Sequence, residues 1–550
     1  MPSARETIIT ENTLREHFNQ YQNFKVEYVN AIISIFPNVS LMKSITNVNK
    51  ARIVTTLLQH KDRITLRQLY KYIDLPEMVK ACEVLDANRW IRQMEKKVVN
   101  KGRKGYHLKN KINLVKESLE GLYELSLTSS KTKLVKEWIH QLSKNDIEYR
   151  ALMFPNTLWK QLADLNHFHP ERDFENVPWF LRYCFGKDAP VDSVVGKVQN
   201  LSFDNFAEIY RETPLPLEFL RLKLNLSADN NYNPMVTRAK EMIATRENLS
   251  TVLWYYKELE TKEVNNMLAS RLSETSSNDV SLSYGMLVDL LIHVRDQNIY
   301  KHLVRIAEDK LKTYESSLAS PVAVFGDASN SMQTAINTSS IITSLLCSLT
   351  HASLTLFRSK DYPVTNPPTT VQSAIKFAKT MTANDCTAPA ASLWPYYNQK
   401  KEVKTFILVT DEVENATHTG SCRYGNGYTF ADLYKKYHDE VYPAKLVFIS
   451  FSNPNTDAYM IKNLKQVMGI DFVNEKVDIF KFDVNNPDLN KLDMILQKLS
   501  LHKEVLETEP VVEKNEDELL RESSGFHVVS DQIPTPKSSG GFLSSFFNIN

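Results

Sequence analysis

Hydrophobic and polar positions divide the chain into two halves with different periods. Up to about residue 316 the apolar residues recur at helical spacing, as in the stripe formed by Ile53, Val54, Leu57 and Leu58. From about residue 321, short continuous apolar runs alternate with amphipathic stretches. Such runs are typical of parallel strands that are buried on both faces, and amphipathic stretches between them are typical of the covering helices. The pattern predicts a mainly α region followed by a doubly wound α/β domain.

The predicted elements of the two halves follow from these periods. In the first half the amphipathic stretches are 133–142, 157–165, 203–210, 235–244, 252–259, 284–294 and 301–311. In the second half the predicted strands are 322–325, 354–357, 406–410, 445–451 and 477–482, and the predicted helices are 334–349, 371–381, 430–440, 457–468 and 489–496. No fixed-length repeat is visible among the first set, which favours an irregular solenoid of helix pairs.

Residues 51–108 predict a separate small module. Three short helices come first: Thr65 begins a capping box for the second, and Pro76 suits the first turn of the third. The period then changes, so that Trp90-Ile91-Arg92 begins a predicted strand and Tyr106-His107-Leu108 forms its return. Three helices followed by a hairpin resemble a winged-helix module.

Basic residues cluster around this predicted hairpin with no acidic residue between them. They are Lys96, Lys97, Lys101, Arg103, Lys104, Lys109 and Lys111. Such a patch neutralises phosphates, and predicts salt-dependent and largely sequence-independent binding of nucleic acid. Tyr106 and His107 could stack on the bases of a single strand. The alternatives are a protein-docking module, or an edge hairpin whose lysines protect it from aggregation.

Length, charge and cysteines narrow the class of protein only coarsely. A chain of 550 residues predicts several domains, and its net charge of +1 leaves room for local basic patches. The five cysteines have neither zinc-binding spacing nor an even number, so we expect no disulfide framework and no zinc site. Without a signal-peptide apolar segment or a stretch of about 20 apolar residues, we expect no membrane span and a place in the cytosol or the nucleus.

Two of the predicted strands end at an aspartate. The first run ends at Asp327, and Ser329 and Ser331 follow at every second position; the run 405–410 ends at Asp411. Ligands of parallel sheets bind beyond the carboxyl ends of the strands, and hard cations prefer carboxylate and hydroxyl oxygens. We therefore expect a divalent-cation site, with Mg²⁺ as the cation. The alternative is an ordinary polar loop cluster, since Asp and Ser are common in turns.

The string Asp327-Ala-Ser329-Asn-Ser331, together with Val-Thr-Asp411, resembles the metal-ion-dependent adhesion site of von Willebrand factor type A domains. The resemblance implies a doubly wound fold in which both serines and both aspartates hold the cation, directly or through water. It also implies that a threonine from a further loop completes the site, and that an acidic partner residue or a phosphate-like anion fills the open position.

Two further stretches resemble the Ro autoantigen family, the TROVE-domain proteins. Residues 384–389, Asn-Asp-Cys-Thr-Ala-Pro, are similar to the family's Gly-Gly-Thr-Asp-Cys-Ser-x-Pro loop, and 164–170 are similar to its Leu-Ser-His-x-Lys-Pro motif. Ro proteins pair a ring of HEAT-like helices with a C-terminal type A domain. They bind small noncoding Y RNAs and defective structured RNAs. The resemblance adds His167 to the candidate RNA-binding residues.

The chain departs from the Ro motifs at two positions. Asn384 stands where the family has the metal-binding Thr, so its amide oxygen or the nearby Thr387 would have to replace that hydroxyl. His169 stands where the family has Lys. From the residues alone, packing at a helix end before Pro170 is the simpler explanation of His167 and His169, because no metal-ligand partner lies nearby.

Taken together, the sequence predicts four domains: a winged-helix-like basic module at 45–112, a HEAT-like helical region at 113–317, a type A domain at 318–501, and a disordered tail at 502–550 that is acidic and then Ser/Gly-rich. The favoured function is Ro-like binding of small noncoding or structured RNA in a ribonucleoprotein, with the cation site docking a protein partner. The alternative is a metal-dependent interaction scaffold without nucleic acid. No catalytic constellation is recognisable, so we expect no enzymatic activity.

Overall fold

The structure, a computed structural model, describes residues 4–9, 13–37, 42, 45–99, 104–119, 122, 125–226, 233–314, 316, 318–420, 427–452, 457–483, 489 and 491–500. The predicted tail at 502–550 lies outside these residues. The chain forms two compact units that divide between Arg271 and Leu272. Among the described residues, no helix combines the length and the apolar character that a membrane crossing requires.

The described part of the first unit is helical throughout. In chain order its helices are α1 (Ala4–Ile9), α2 (Leu14–Asn23), α3 (Lys25–Ile35), α4 (Asn47–His60), α5 (Arg63–Leu69), α6 (Leu75–Leu85), α7 (Ala87–Val99), α8 (Lys104–Leu119), α9 (Ser129–Gln141), α10 (Lys144–Met153), α11 (Asn156–Asn166), α12 (Phe180–Cys184), α13 (Val194–Lys197), α14 (Phe203–Glu212), α15 (Leu217–Lys223), α16 (Pro234–Arg246), α17 (Leu249–Trp254), α18 (Tyr256–Leu259) and α19 (Lys262–Glu274). Most of the predicted amphipathic stretches lie within these helices, which confirms the mainly α prediction.

Capping residues set the limits of the helices around the predicted module. The α4 helix begins after Thr46, whose side chain accepts a hydrogen bond from the Asn49 amide, and it ends at Lys61 in the left-handed conformation. The α5 helix begins after Asp62, which accepts from the Thr65 amide at 3.1 Å. The capping box predicted at Thr65 is therefore wrong, because an acidic residue three positions earlier caps the same amide.

The predicted winged-helix hairpin is wrong, since α7 and α8 occupy the segments predicted as strands. Ile91 is buried in α7, and Ile112 and Val115 are buried in α8. Their neighbours are mainly Arg, Gln, Met, Glu and Lys, which favour helices over strands. Helix propensity and a helical stripe thus decide the structure of this segment. The turn predicted between the two strands lies largely outside the described residues.

The second unit combines helices with one six-stranded sheet. Its strands are β1 (Val322–Asp327), β2 (Ser353–Phe357), β3 (Asp361–Pro363), β4 (Thr405–Thr410), β5 (Lys445–Phe451) and β6 (Val477–Phe482). Its helices are α20 (Tyr284–His293), α21 (Gln297–Thr313), α22 (Ile336–Thr350), α23 (Val371–Thr380), α24 (Pro389–Asn398), α25 (Phe430–Glu440), α26 (Tyr459–Met468), α27 (Ile470–Lys476) and α28 (Lys491–Ser500). Every predicted strand and helix of the sheet region is present, and β3, α24 and α27 are additional.

The strand order is β3-β2-β1-β4-β5-β6, and all neighbours are parallel except the β2–β3 pair. The chain winds outward from β1 through β2 and β3, and then returns to place β4 on the other side of β1. This reversal makes the carboxyl ends of β1 and β4 the topological switch point, where ligands of open α/β sheets bind. The strands β1 and β4 are fully buried, as the continuous apolar runs predict.

The unit that contains the sheet begins well before β1. The Asp493 carboxylate in α28 accepts hydrogen bonds from the Tyr284 amide at 2.8 Å and the Gly285 amide at 2.9 Å, at the start of α20. Asp493 of α28, the last helix of the unit, therefore caps the start of α20. The boundary predicted at residue 318 marks the first strand, whereas the compact unit begins at Leu272.

Candidate functional site

The two aspartates of the predicted cation site lie together at the switch point. Strands β1 and β4 pair in parallel with Gly326 opposite Val409, so that Asp327 stands beside Thr410 at the end of the ladder. The Thr410 hydroxyl donates a hydrogen bond to the Asp327 carboxylate at 2.6 Å. Asp411 follows directly and is buried, as Asp327 is. Strand pairing alone thus brings the two carboxyl groups to one place.

The two serines complete a group of oxygen atoms around these carboxyl groups. The amide of Ser329 donates to the Asp327 carboxylate at 2.9 Å, which closes the turn after β1. The hydroxyl oxygens of Ser329 and Ser331 lie 3.1 Å apart and share a hydrogen bond. Ser331 also hydrogen-bonds the Asp411 carboxylate. The structure therefore joins all four predicted residues of the first two loops in one hydrogen-bonded cluster.

Burial makes two adjacent carboxylates costly unless positive charge accompanies them. Burial first, and then the charge of Asp411, raise the pKa of Asp327 above its usual range, and burial also raises the pKa of Asp411. Among the described residues, no group of three or more His, Cys, Asp or Glu side chains could hold a metal. The donor set here is instead two carboxylates and two hydroxyls. It consists only of oxygen, which fits a hard divalent cation and not zinc.

The third predicted loop lies against the first one through its backbone. The Asn384 amide donates to the Ala328 carbonyl at 3.0 Å, and the Asn330 amide donates to the Asp385 carbonyl at 3.1 Å. Asn384 is exposed, whereas Thr387 is buried and its amide donates to the Asn415 side chain at 2.8 Å. Both candidate replacements for the missing threonine thus belong to a loop that is hydrogen-bonded to the aspartate loop.

Two residues at the same edge of the sheet were missed by the sequence analysis. Thr410 holds the Asp327 carboxylate, and Glu412 is a fully buried carboxylate that accepts hydrogen bonds from the Ser450 hydroxyl and from the Ile461 amide at 3.3 Å. Burial raises the pKa of Glu412. The signal that could have found them is their position, since they immediately precede and follow Asp411 at the end of a buried strand.

The cysteines of the described residues differ in their bonding, although the sequence predicts no disulfide framework. Cys82, Cys184 and Cys347 are free and buried. Cys386, in the third loop, is disulfide-bonded. An odd total and wide spacing gave no sign of this pair, because the spatial neighbours of a loop residue are set by the tertiary fold.

The predicted basic residues lie on two helices that pack against each other. Lys96 and Lys97 are exposed on α7, and Lys109 and Lys111 are exposed on α8. Lys111 stands over the Trp90 ring, with its amine 6.0 Å from the ring centroid. Lys104 begins α8, and Lys101 and Arg103 lie outside the described residues. Helices therefore present these lysines, in place of the predicted hairpin.

An open cavity of about 1330 Å³ lies beside these helices in the first unit. It is lined by α7, α8 and α9, by the segment 125–127, and by residues at the ends of α6 and α11. Its charged lining consists of Arg89, Arg92, Lys116, Lys133, Lys136 and a single acid, Asp86. The excess of cations gives the lining a positive charge, which favours anions over cations. Sequence analysis missed it because the residues come from five separate helices.

His167 is the one RNA-binding candidate that lines the cavity. It ends α11 in the left-handed conformation with φ of 50°, and its side chain is exposed. His169 instead serves the following turn: its ring accepts from the Glu171 amide at 3.3 Å and the Arg172 amide at 3.4 Å. The pair thus has two roles, since His169 closes a turn and His167 lies at the basic cavity.

Together, the strand order and the aspartate and serine loop define a doubly wound α/β domain with an oxygen cluster at its switch point, preceded by a helical region. Among solved structures, the chain is similar to the Ro (RSR) protein of Deinococcus radiodurans, with 13% sequence identity and a TM-score of 0.46. The match covers 88% of this chain and 94% of that one. No protein-family model matches the chain, and no curated protein sequence matches it.

Proposed function

We propose that the chain is a Ro-like RNA-binding protein that holds small noncoding or structured RNA in a ribonucleoprotein. The observation that carries the proposal is the continuity of the basic helix faces with the basic cavity. On α7, Arg89, Arg92 and Lys96 recur at helical spacing, so they share one face that runs from the cavity to the exposed lysines. On α8, Lys109 and Lys116 are seven residues apart and share a face in the same way.

A surface of this kind suits the phosphates of an RNA and the unpaired bases near them. Lysine and arginine side chains neutralise backbone phosphates without reading sequence, which gives strongly salt-dependent affinity. Structured RNA is recognised mainly by shape and by its single-stranded segments. The motifs at 164–170 and 384–389, which resemble those of Ro proteins, favour RNA over DNA as the partner.

The type A domain would contribute a second binding activity through Mg²⁺. Asp327, Ser329, Ser331 and Asp411 would hold the cation, with Asn384 or Thr387 as the further oxygen ligand. The bound cation would supply an open coordination position to an acidic residue of a protein partner. We propose binding without turnover at this site, as its resemblance to type A adhesion sites implies.

The RNA proposal is tested by removing charge from the two helix faces. Gln replaces four exposed lysines of these helices, Lys96, Lys97, Lys109 and Lys111. We expect this variant to lose at least about tenfold in affinity for a structured RNA with a single-stranded end, and to show a shallower salt dependence. Fluorescence anisotropy over a salt series measures both quantities.

A matched control removes four exposed lysines from the other unit: Lys360, Lys376, Lys379 and Lys404. It has the same net charge as the test variant and should keep the affinity of the unchanged chain. Equal losses in both variants would mean that net charge and not this surface attracts RNA. Absence of RNA binding at low salt, together with Mg²⁺-dependent capture of an acidic protein partner, would favour the interaction scaffold instead.

A further inference from the structure

Two cations of the cavity, Arg92 and Lys133, have no ion-pair partner among the described residues, although the charge of Arg92 also acts on the Asp86 carboxylate, which pairs with Arg89. Three of the five Lys and Arg side chains of the cavity form ion pairs. The pairs are Arg89 with Asp86 at 2.8 Å, Lys116 with Glu95 at 2.6 Å, and Lys136 with Asp173 at 2.8 Å. Arg92 on α7 and Lys133 on α9 are exposed, and no carboxylate in the described part of the chain lies within ion-pair distance of either.

The size of the cavity selects a single strand over a duplex. One groove of a nucleic-acid duplex is already about 12 Å wide, so a space of about 1330 Å³ cannot admit a double helix. The same volume exceeds that of ordinary small-ligand pockets, which are roughly 300–1,000 Å³. Apolar side chains form much of the lining, and the half-buried ones among them, Leu119, Leu127 and Leu165, can contact the faces of unpaired bases.

The charge of the two side chains without ion-pair partners favours a terminal phosphate over an internal one. A phosphodiester inside a strand carries one negative charge, whereas a phosphomonoester carries nearly two at neutral pH. Arg92 and Lys133 together carry two positive charges, which match the charge of a phosphomonoester. The first turn of α9 also faces the cavity through Ser129 and Thr132, and Thr128 makes no side-chain capping bond there, so its amides add positive potential.

We propose that the cavity binds the phosphorylated end of a single-stranded RNA segment, with Arg92 and Lys133 binding the terminal phosphomonoester. This inference rests on the proposed RNA-binding function and deepens it. The exposed lysines of α7 and α8 would hold the phosphates that follow the end along the strand. The chain would thereby distinguish RNAs by the phosphorylation state of an end, which the exposed lysines alone cannot do.

The test compares one short single-stranded RNA in three forms: with a 5′-phosphate, with a 3′-phosphate, and with hydroxyls at both ends. We expect one phosphorylated form to bind the full chain about tenfold more tightly than the hydroxyl form, as measured by anisotropy. Arg92→Gln and Lys133→Gln should each remove that preference. Lys133→Gln lies outside the basic faces of α7 and α8 and should leave the affinity for the hydroxyl form nearly unchanged, whereas Arg92→Gln should weaken all three forms modestly. Both residues are exposed, so both variants should fold, which circular dichroism verifies.

Lys376→Gln, an exposed substitution in the other unit, is the control and should keep the preference. Equal affinity for all three forms would overturn the inference and leave the RNA-binding function intact. A preference that survives both cavity substitutions would also overturn it, by locating the phosphate elsewhere. No binding of any form would defeat the function itself. Inorganic phosphate that binds as tightly as the phosphorylated RNA would show that the cavity takes a small anion and not an RNA end.

Discussion

At the scale of single residues, Asp327 and Asp411 carry the chemistry of the sheet edge. Two neighbouring carboxyl groups in a buried place repel each other when both are ionised, and a divalent cation removes this cost. The hydroxyls of Ser329, Ser331 and Thr410 already orient the pair. The proposed cation would therefore meet ligands that are already ordered, which limits the conformational entropy that its binding would cost.

Replacing Asp327 by Asn should separate metal binding from stability. We expect Asp327→Asn to abolish the increase in unfolding temperature that Mg²⁺ gives to the unchanged chain. Without Mg²⁺ the variant should be at least as stable as the unchanged chain, because one of two repelling carboxyl groups is gone. Thermal unfolding with and without Mg²⁺ measures both effects. Asp471→Asn, which removes an exposed acid of α27, should respond to Mg²⁺ normally; full Mg²⁺ stabilisation of Asp327→Asn would rule out this site.

His17 predicts how the first unit responds to acid. Its ring is fully buried, and it bonds the Tyr28 hydroxyl and the Asn49 side chain at 2.7 Å each. Burial lowers the pKa of His17 to about 3. The unfolded chain therefore takes up a proton below pH 6.5 that the folded chain refuses, so stability is present above pH 6.5 and is lost as pH falls.

We expect the unfolding free energy of the unchanged chain to fall by about 1.4 kcal/mol for each pH unit between 6.5 and 5 through this group. His17→Gln should be less stable at neutral pH, because it loses a buried hydrogen bond, but should depend less on pH in this range. Urea unfolding followed by tryptophan fluorescence measures the slope. His140→Gln, at an exposed histidine, should keep the slope of the unchanged chain; an unchanged slope in His17→Gln would contradict the assignment.

At the scale of elements, α7 and α8 show how local and tertiary information compete. The tripeptide Trp90-Ile91-Arg92 and the glycines near residue 102 favour a strand and a turn when read over a few positions. Over the full segment, buried apolar residues recur at helical spacing, and the longer pattern decides the structure. Lys96, Lys97, Lys109 and Lys111 nevertheless remain exposed on the two helices.

The joint between α28 and α20 should be sensitive to a single carboxylate. Asp493 accepts two backbone hydrogen bonds at the start of α20, where amides otherwise lack partners. We expect Asp493→Ala to destabilise the second unit by about 2 kcal/mol, because two buried amides lose their acceptor. Differential scanning calorimetry measures the loss. Asp309→Asn, at an exposed acid of α21, should have little effect; equal stability of Asp493→Ala would show that the joint does not hold the helices.

At the scale of the whole molecule, the two candidate activities belong to different units. The basic cavity and the exposed lysines lie before Arg271, and the oxygen cluster lies after Leu272. No described side chain belongs to both sites. We therefore expect removal of Mg²⁺ by EDTA to change RNA affinity by less than about twofold, and we expect the four-lysine variant to bind Mg²⁺ normally. Anisotropy and calorimetry check the two halves of this prediction; a large effect of EDTA on RNA affinity would show that the sites are coupled.

The sequence by itself determined the α/β winding and the two aspartates of the candidate cation site. Both depend on local information: a buried parallel strand reads as a continuous apolar run, and a residue at its end points to the edge where ligands bind. Helix order in the first half was readable for the same reason.

Only the tertiary structure decided the neighbours of these residues. The contact of Thr410 with Asp327 and the cavity that Arg92 and Lys133 line both unite residues far apart in the chain. Such contacts depend on how elements pack, and no period or spacing within one element encodes them.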